Sequence, residues 1–190
     1  VRSAESPCSE RKVIFSIAPI PKIAATQSRR KRKSNMKKFT VVGAGLAGCE
    51  AAWQIAESGY PVTLIEMKPI KFSPAHKSEN FAELVCSNSL KASRLESAAG
   101  LLKEEMFRLG SLTVAVARRC AVPAGGALAV DRNDFSSAVT DMIKNHPNIT
   151  VENRIFDRIE PEENEILIIA TGPLTEESLA QEIQRLCGDC

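Results

Sequence analysis

The chain has 190 residues, 44% hydrophobic and 25% charged, the balance of a soluble folded protein large enough for one real core. No apolar run approaches the roughly 20 residues a membrane-spanning helix needs, and at 5% aromatics a base-stacking surface has little material, so integral membrane and fibrous classes are excluded. The net charge of +2 divides into +7 for residues 1–35, with nine Lys/Arg and two Glu, and −5 for residues 36–190, with sixteen Lys/Arg and twenty-one Asp/Glu; the folded part taken alone is no strong nucleic-acid binder by charge.

Residues 1–35 show no sustained period and carry the run Arg29-Arg30-Lys31-Arg32-Lys33. A basic arm for nucleic acid or an acidic partner is one reading of this disordered tail. An organellar transit peptide is a second, weakened by Glu5 and Glu10. The preferred expectation is upstream sequence read in frame, with Met36, three residues before the first strand, as the true start. The six cysteines, Cys8, Cys49, Cys86, Cys120, Cys187 and Cys190, are too scattered for a disulfide framework. Val13 to Ile23 is broken by Ser16, Pro19, Pro21 and Lys22, so it is no signal peptide. Reduced thiols and a cytoplasmic location are expected.

Phe39-Thr40-Val41-Val42 reads as a short strand running into Gly43-Ala44-Gly45-Leu46-Ala47-Gly48. Ala47, Ala51 and Ile55 then recur every four residues, predicting a helix with that stripe as its apolar face, ended by Gly59. Val62-Thr63-Leu64-Ile65 reads as a second buried strand closing on Glu66. A glycine motif alone is weak, but strand, glycine turn, helix, strand and acid together are the context that dinucleotide binding requires. Gly43 permits the tight turn, Gly45 lets the backbone approach a pyrophosphate, and Gly48 lets helix and strand pack closely. The helix N-terminus offers its free N–H groups to phosphate, and Glu66 can accept hydrogen bonds from an adenosine ribose.

Further along, Leu101, Leu102, Met106 and Leu109 predict one amphipathic helix. Phe135, Val139, Met142 and Ile143 predict another, capped near Asp131 or Asn133 and stopped before Pro147. Pro123-Ala124-Gly125-Gly126 reads as a turn and Ile149-Thr150-Val151 as a strand. Ile166-Leu167-Ile168-Ile169 is a buried strand running into Ala170-Thr171-Gly172, a turn that recurs over FAD in two-dinucleotide-domain flavoproteins and tips the cofactor from NAD towards FAD.

Several strings resemble a known family. They are Pro74-Ala75-His76, Phe81-Ala82-Glu83-Leu84-Val85-Cys86-Ser87-Asn88-Ser89-Leu90, Leu102-Lys103-Glu104-Glu105-Met106, Val122 to Arg132, and Ile169 to Leu174. From about Met36 to about Gln184 the chain resembles the N-terminal part of the folate- and FAD-dependent tRNA (uracil-5-)-methyltransferases, TrmFO. The resemblance implies an α/β, Rossmann-like FAD-binding domain of the GR2 type, incomplete, with an inserted helical and loop region. It implies transfer of a one-carbon unit from methylenetetrahydrofolate to C5 of a T-loop uridine in tRNA, with reducing equivalents from FAD recharged by NAD(P)H. Gly43, Ala44, Gly45, Leu46, Ala47, Gly48 and Glu66 would then hold the ADP half of FAD, with Ala170, Thr171 and Gly172 nearby. Cys86 matches the cysteine of the family's Leu-Val-Cys-Ser-Asn motif, implicated in methyl transfer.

Read from the residues alone, Ser87, Asn88 and Ser89 are capping types, which predicts Cys86 at a helix start where the dipole favours thiolate. The competing reading is a small buried hydrophobe. His76 reads equally as a loop hydrogen-bonder or a catalytic group, and His146 as a helix-end cap. Cys49 is explained by helix–sheet packing, and Cys120 has no partner in sequence. Cys187 and Cys190 have C-x-x-C spacing without a second pair, so no metal site is supported. Because relatives of this type are more than twice as long as the folded part, the chain is expected to be a fragment that binds FAD weakly or not at all and methylates nothing unaided. Alternatives are an FAD enzyme of the tRNA wobble uridine, a nucleic-acid module driven by the basic tail, or a simple NAD dehydrogenase.

Overall fold

The computed structural model describes residues 37–188, so the basic tail, Cys8 and Cys190 lie outside the described residues. The glycine-motif unit forms as its pattern demands. Strand β1 (Lys38–Val42), helix α1 (Leu46–Glu57) and strand β2 (Val62–Glu66) follow within thirty residues. β1 pairs parallel with β2, Val41 facing Leu64 and Val42 facing Ile65. An insertion then carries strand β3 (Ser89–Ala92), helices α2 (Ala98–Arg108) and α3 (Leu112–Arg119), strands β4 (Ala121–Val122) and β5 (Ala127–Val130), and helix α4 (Arg132–Lys144). Strands β6 (Ile149–Asn153) and β7 (Glu165–Ile169), a 3-10 turn at Gly172–Leu174 and helix α5 (Glu177–Cys187) complete the order.

The main sheet is parallel, in the order β6-β2-β1-β7. The chain therefore leaves β1 towards β2 and β6 and returns on the opposite side at β7. That reversal is the topological switch point, where α/β folds bind ligands beyond the carboxyl ends of their strands. One face of the sheet packs Val41, Val62 and Leu64 against α1, α3 and α4, with Trp53, Leu112, Val116, Phe135 and Ile143 in one core. On the other, Val42, Ile65 and Leu179 of α5 form a smaller cluster with Phe156 and Ile183. The insertion's own sheet is antiparallel, β3-β5-β4, with Gly125 in the left-handed region at φ 61 in the turn before β5. No described helix is long and apolar enough to cross a membrane.

Three features differ from what the sequence predicts. The buried face of α1 is Gly48, Cys49, Ala52, Trp53 and Ala56, whereas Ala47 is exposed and Ala51 and Ile55 are only partly buried. Helix α2 forms, but Leu101, Leu102 and Leu109 are 49, 56 and 68% exposed, so its leucine stripe faces away from the core. The residues after Cys86 enter strand β3, not a helix; Ser87 Oγ accepts from the Ser89 N–H and Asn88 is laced to Val130 of β5 in both directions. Helix α3 has no counterpart in the sequence reading because Leu112-Thr113-Val114-Ala115-Val116 is β-rich in composition. Its helical state is imposed from outside. Glu50 of α1 accepts from the Leu112 and Thr113 N–H groups and the Ser111 and Thr113 hydroxyls, while Ser111 Oγ accepts from the Val114 N–H.

Candidate functional site

At the switch point a crevice of about 90 Å3 opens between the glycine loop, the end of β2 and the turn after β7. Its lining includes Gly43, Ala44 and Gly45, with Ala170 and Thr171 next to Gly43, and Glu66 and Lys68 on the floor. It is smaller than the roughly 300–1,000 Å3 of a whole small-molecule pocket, and fits part of a dinucleotide.

The three glycines of the motif have separable causes. Gly43 lies at φ 97, where an added Cβ would stand 2.9 Å from the Ala170 carbonyl oxygen. At Gly48 a Cβ would meet the Gly43 carbonyl oxygen at 1.7 Å. Both are required by the protein's own packing, helix against strand and turn against turn. Gly45 is different. Its φ of −73 is ordinary, and a Cβ there would meet nothing within 4 Å. The fold gives no reason for glycine at this position, whereas a phosphate approaching the backbone does. Gly45 is also the N-cap of α1, with no side-chain cap and no acidic residue in the first turn, so this end of the dipole is left to an anion. Leu46 and Ala47 form that first turn, both exposed.

Glu66 ends β2 and is 6% exposed. One carboxylate oxygen accepts from the Ala44 N–H at 2.7 Å and the other from the Lys68 N–H at 3.1 Å. These bonds occupy two of the roughly four acceptor positions of a carboxylate, leaving capacity for ribose hydroxyls. The turn after β7 packs next to Gly43: the Ala170 N–H donates to Val42 O at 2.8 Å, and Thr171 Oγ1 meets Thr175 Oγ1 at 2.6 Å. Gly172 lies at φ 70 and begins the 3-10 turn. The residues present fit the ADP half of a dinucleotide: open backbone N–H groups, a glycine with room above it, and a buried acid at the end of the second strand.

Cys86 is exposed, in a bend before β3, and does not line the crevice. Its carbonyl accepts from Arg132 Nη2 at 3.4 Å. Four residues earlier the same segment touches the glycine loop, where the Ala82 N–H donates to Ala44 O at 2.8 Å. Cys49 is fully buried, its Sγ donates to Ala44 O at 3.3 Å, and burial, with Glu66 nearby, pushes its thiol up to about 12. Burial also raises Cys120, at the end of α3, with Asp134 beside it. Cys187 closes α5, exposed. Among the described residues no group of three or more His, Cys, Asp or Glu could hold a metal ion.

His76 does line the crevice, its Nδ1 2.6 Å from Ser73 Oγ. His146 is a bridge rather than a cap. Its Nδ1 accepts from the Asn148 N–H at 3.1 Å, so Nε2 carries the proton it shares with Glu57 at 3.1 Å. The sequence reading missed Lys68, Glu83, Arg154, Phe156 and Glu176 as crevice residues. Arg154 and Phe156 follow the carboxyl end of β6, a position the switch-point rule singles out once β6 is paired with β2. Glu176 lines the crevice as the N-cap of α5 and forms a 2.6 Å ion pair with Lys71, 105 positions away, for which the sequence carries no signal.

Residues 38–184 match the family described as glucose inhibited division protein A. The chain is 60% identical over 152 residues to the methylenetetrahydrofolate–tRNA-(uracil-5-)-methyltransferase TrmFO of Enterococcus faecalis, covering 80% of this chain and 34% of that protein. Proteins of the same name from a Synechococcus and from Bacillus subtilis are 56 and 55% identical, over 83 and 82% of this chain and 35% of each relative. The chain therefore spans about a third of the length of these curated relatives. Among solved structures, NikD, an amino acid oxidase, aligns at 14% identity with a TM-score of 0.47, over 78% of this chain and 54% of that one.

Proposed function

The chain belongs to the glucose inhibited division protein A family, and from that premise we propose that it is the N-terminal, cofactor-holding part of a flavin- and folate-dependent tRNA methyltransferase. The observation that carries this reading is Gly45, a glycine that the protein's own packing does not require, at the mouth of a crevice floored by a buried acid. In this reading Gly45 to Gly48, at the N-terminus of α1, present backbone N–H groups to the pyrophosphate of FAD, with Gly43 and Ala44 shaping the turn through their own bonds to Ile65 and Glu66, and Glu66 accepts from the adenosine ribose. Ala170 and Thr171 line the crevice next to Gly43, and Gly172 continues the turn behind them. When bound, the flavin supplies the reducing equivalents that turn a methylene unit from methylenetetrahydrofolate into a methyl group, and NAD(P)H restores them. Cys86, exposed four residues after Ala82, which bonds to the glycine loop, is the thiol assigned to the methyl transfer onto C5 of a T-loop uridine of tRNA. Identity of 54–60% to proteins of that name supports the activity, and the shared segment covers about a third of their length.

Two experiments test this. Calorimetric titration of the chain with ADP and FAD should show one shared site, weakened at least about tenfold by Glu66→Ala; full affinity in that variant overturns the assignment. Residues 37–184, joined to the remaining two thirds of the Enterococcus faecalis relative, should methylate a tRNA uridine at C5. Cys86→Ala in that hybrid should retain flavin and lose methylation. A hybrid that folds and holds flavin yet leaves tRNA unmodified, or a methylating Cys86→Ala variant, refutes the reading.

A further inference from the structure

Lys68 is a buried cation to which the nucleotide reading gives no task. It is 4% exposed, and lysine is almost never so buried unless partnered. Its Nζ donates to the carbonyls of Ser78, at 3.0 Å, and Asn80, and stands 3.8 Å from a Glu83 carboxylate oxygen. Glu83 in turn accepts from the N–H groups of Lys77, at 3.0 Å, and Ser78, at 3.2 Å. Residues 77–83 are thus wound round one ammonium. The main chain of Lys68 faces the other way: its N–H holds Glu66 and its carbonyl accepts from Asn153 Nδ2.

A second tie runs in parallel. Ala44 gives its N–H to Glu66 and takes the Ala82 N–H on its carbonyl. Ala82 is 1% exposed and sits at φ 50, a left-handed conformation that a non-glycine residue holds only where its surroundings fix it. Phe81 is pinned next to it, its N–H on Thr140 Oγ1 at 2.8 Å. Beyond Ala82 the chain passes through buried Leu84 to Cys86.

We propose that Lys68 is a positioning residue, which fixes the Cys86-bearing segment 77–86 to the glycine-loop end of the crevice, so that the thiol and a ligand bound at Glu66 are held by one network. Without its ammonium, two carbonyls lose their donor and Glu83 loses its counter-charge, and only the Ala82–Ala44 and Phe81–Thr140 bonds remain to hold Ala82 in its costly conformation. Only the ligand half of this statement rests on the nucleotide reading.

The test is hydrogen exchange of the chain as Lys68→Met and Lys68→Arg. In the methionine variant the Phe81 and Ala82 amides should exchange at least about tenfold faster than in the unaltered chain. Amides in β1 and α4 should keep their rates, and Lys68→Arg should restore most of the protection. Saturating ADP should slow the Phe81 and Ala82 amides about threefold or more in the unaltered chain and leave them unchanged in Lys68→Met. Unaltered exchange in Lys68→Met, or equal slowing by ADP in both proteins, overturns the proposal. Failure of the unaltered chain to bind ADP would overturn the nucleotide reading instead, and the ligand-free comparison still decides the positioning. If Lys68→Met does not fold, Lys68→Met with Glu83→Gln, which removes the charge of Glu83 together with that of Lys68, takes its place with the same expected rates.

Discussion

Adding one methyl group at Gly45 and one at Gly48 separates ligand from fold. A Cβ at Gly48 would lie 1.7 Å from the Gly43 carbonyl oxygen, against the 3.0 Å below which real Cβ atoms are essentially never found. The obstacle is backbone, so helix α1 or the turn must move, and Gly48→Ala should cost at least the 1–3 kcal/mol, roughly, of an overpacked core. At Gly45 the same Cβ meets nothing within 4 Å, and φ −73 with ψ −171 suits any residue. Alanine is a poorer N-cap than glycine but lowers the entropy of the unfolded chain, two effects of opposite sign that leave Gly45→Ala within about 1 kcal/mol of the unaltered chain. Its effect should fall on the ligand, because a pyrophosphate close to the backbone has no room for a methyl group. We expect ADP affinity to fall at least tenfold, about 1.4 kcal/mol. Urea unfolding followed by Trp53, the single tryptophan, gives the stability arm, and calorimetry with ADP gives the other. Loss of stability in Gly45→Ala comparable to Gly48→Ala would refute the claim that its space is open. Unchanged ADP binding by a folded Gly45→Ala would refute the claim that phosphate fills it.

Glu50→Ala should destabilise the chain by about 1–3 kcal/mol, because four donors at the start of α3 lose their acceptor, and urea unfolding measures it. Glu176 is held down to about 2 from 4.5 by Lys71 and by the hydroxyl and N–H of Ser178. A carboxyl depressed in the folded state contributes stability above pH 4.5 that disappears as pH falls towards 2, so Glu176→Gln should flatten stability against pH within that window. Brief treatment with iodoacetamide at pH 8 followed by peptide mass spectrometry should modify exposed Cys86 and spare Cys49, whose thiol is pushed up to about 12; modification of Cys49 in the folded chain would contradict its burial.

What the sequence revealed and what it hid divide along the range of the interactions. The β1–α1–β2 unit was legible because its glycines, its strand residues and Glu66 act within thirty positions of one another. Strand β7 was legible as a strand because four consecutive apolar residues ending in Ala170-Thr171 leave few alternatives, but the expected burial did not follow: β7 is an edge strand, with Ile166 and Ile169 each 36% exposed. The long-range elements were not. Helix α3 is set by Glu50, 61 to 63 positions away, which overrides a β-rich composition. The segment around Cys86 carries helix-capping residue types, yet its backbone is claimed by β5, 42 positions on, through Asn88 and Val130. Lys68 was invisible for a different reason: its partners lie only 10 to 15 positions on, but two of them are main-chain carbonyls, which every residue carries and no side-chain pattern announces.

The rotation of α1 shows how these scales meet. The helix has two apolar stripes, Ala47–Ala51–Ile55 and Cys49–Ala52–Trp53–Ala56, and hydrophobic spacing cannot rank them. The glycine motif can. Only the side bearing Gly48 tolerates the Gly43 carbonyl at the distance the sheet imposes, so that side must face β1, and Cys49, Ala52 and Ala56 follow it into the core at 0, 0 and 1% exposure. The same rotation turns Glu50 away from the crevice towards α3 and leaves Gly45 at the mouth with no side chain above it. A residue that serves helix–strand packing therefore also sets the direction of the helix end that is offered to phosphate. This predicts that Gly48→Ala, by shifting α1, should weaken ADP binding as well as stability, whereas Gly45→Ala should weaken ADP binding alone. Measured together, the two variants distinguish a helix that merely packs from one that is also aimed.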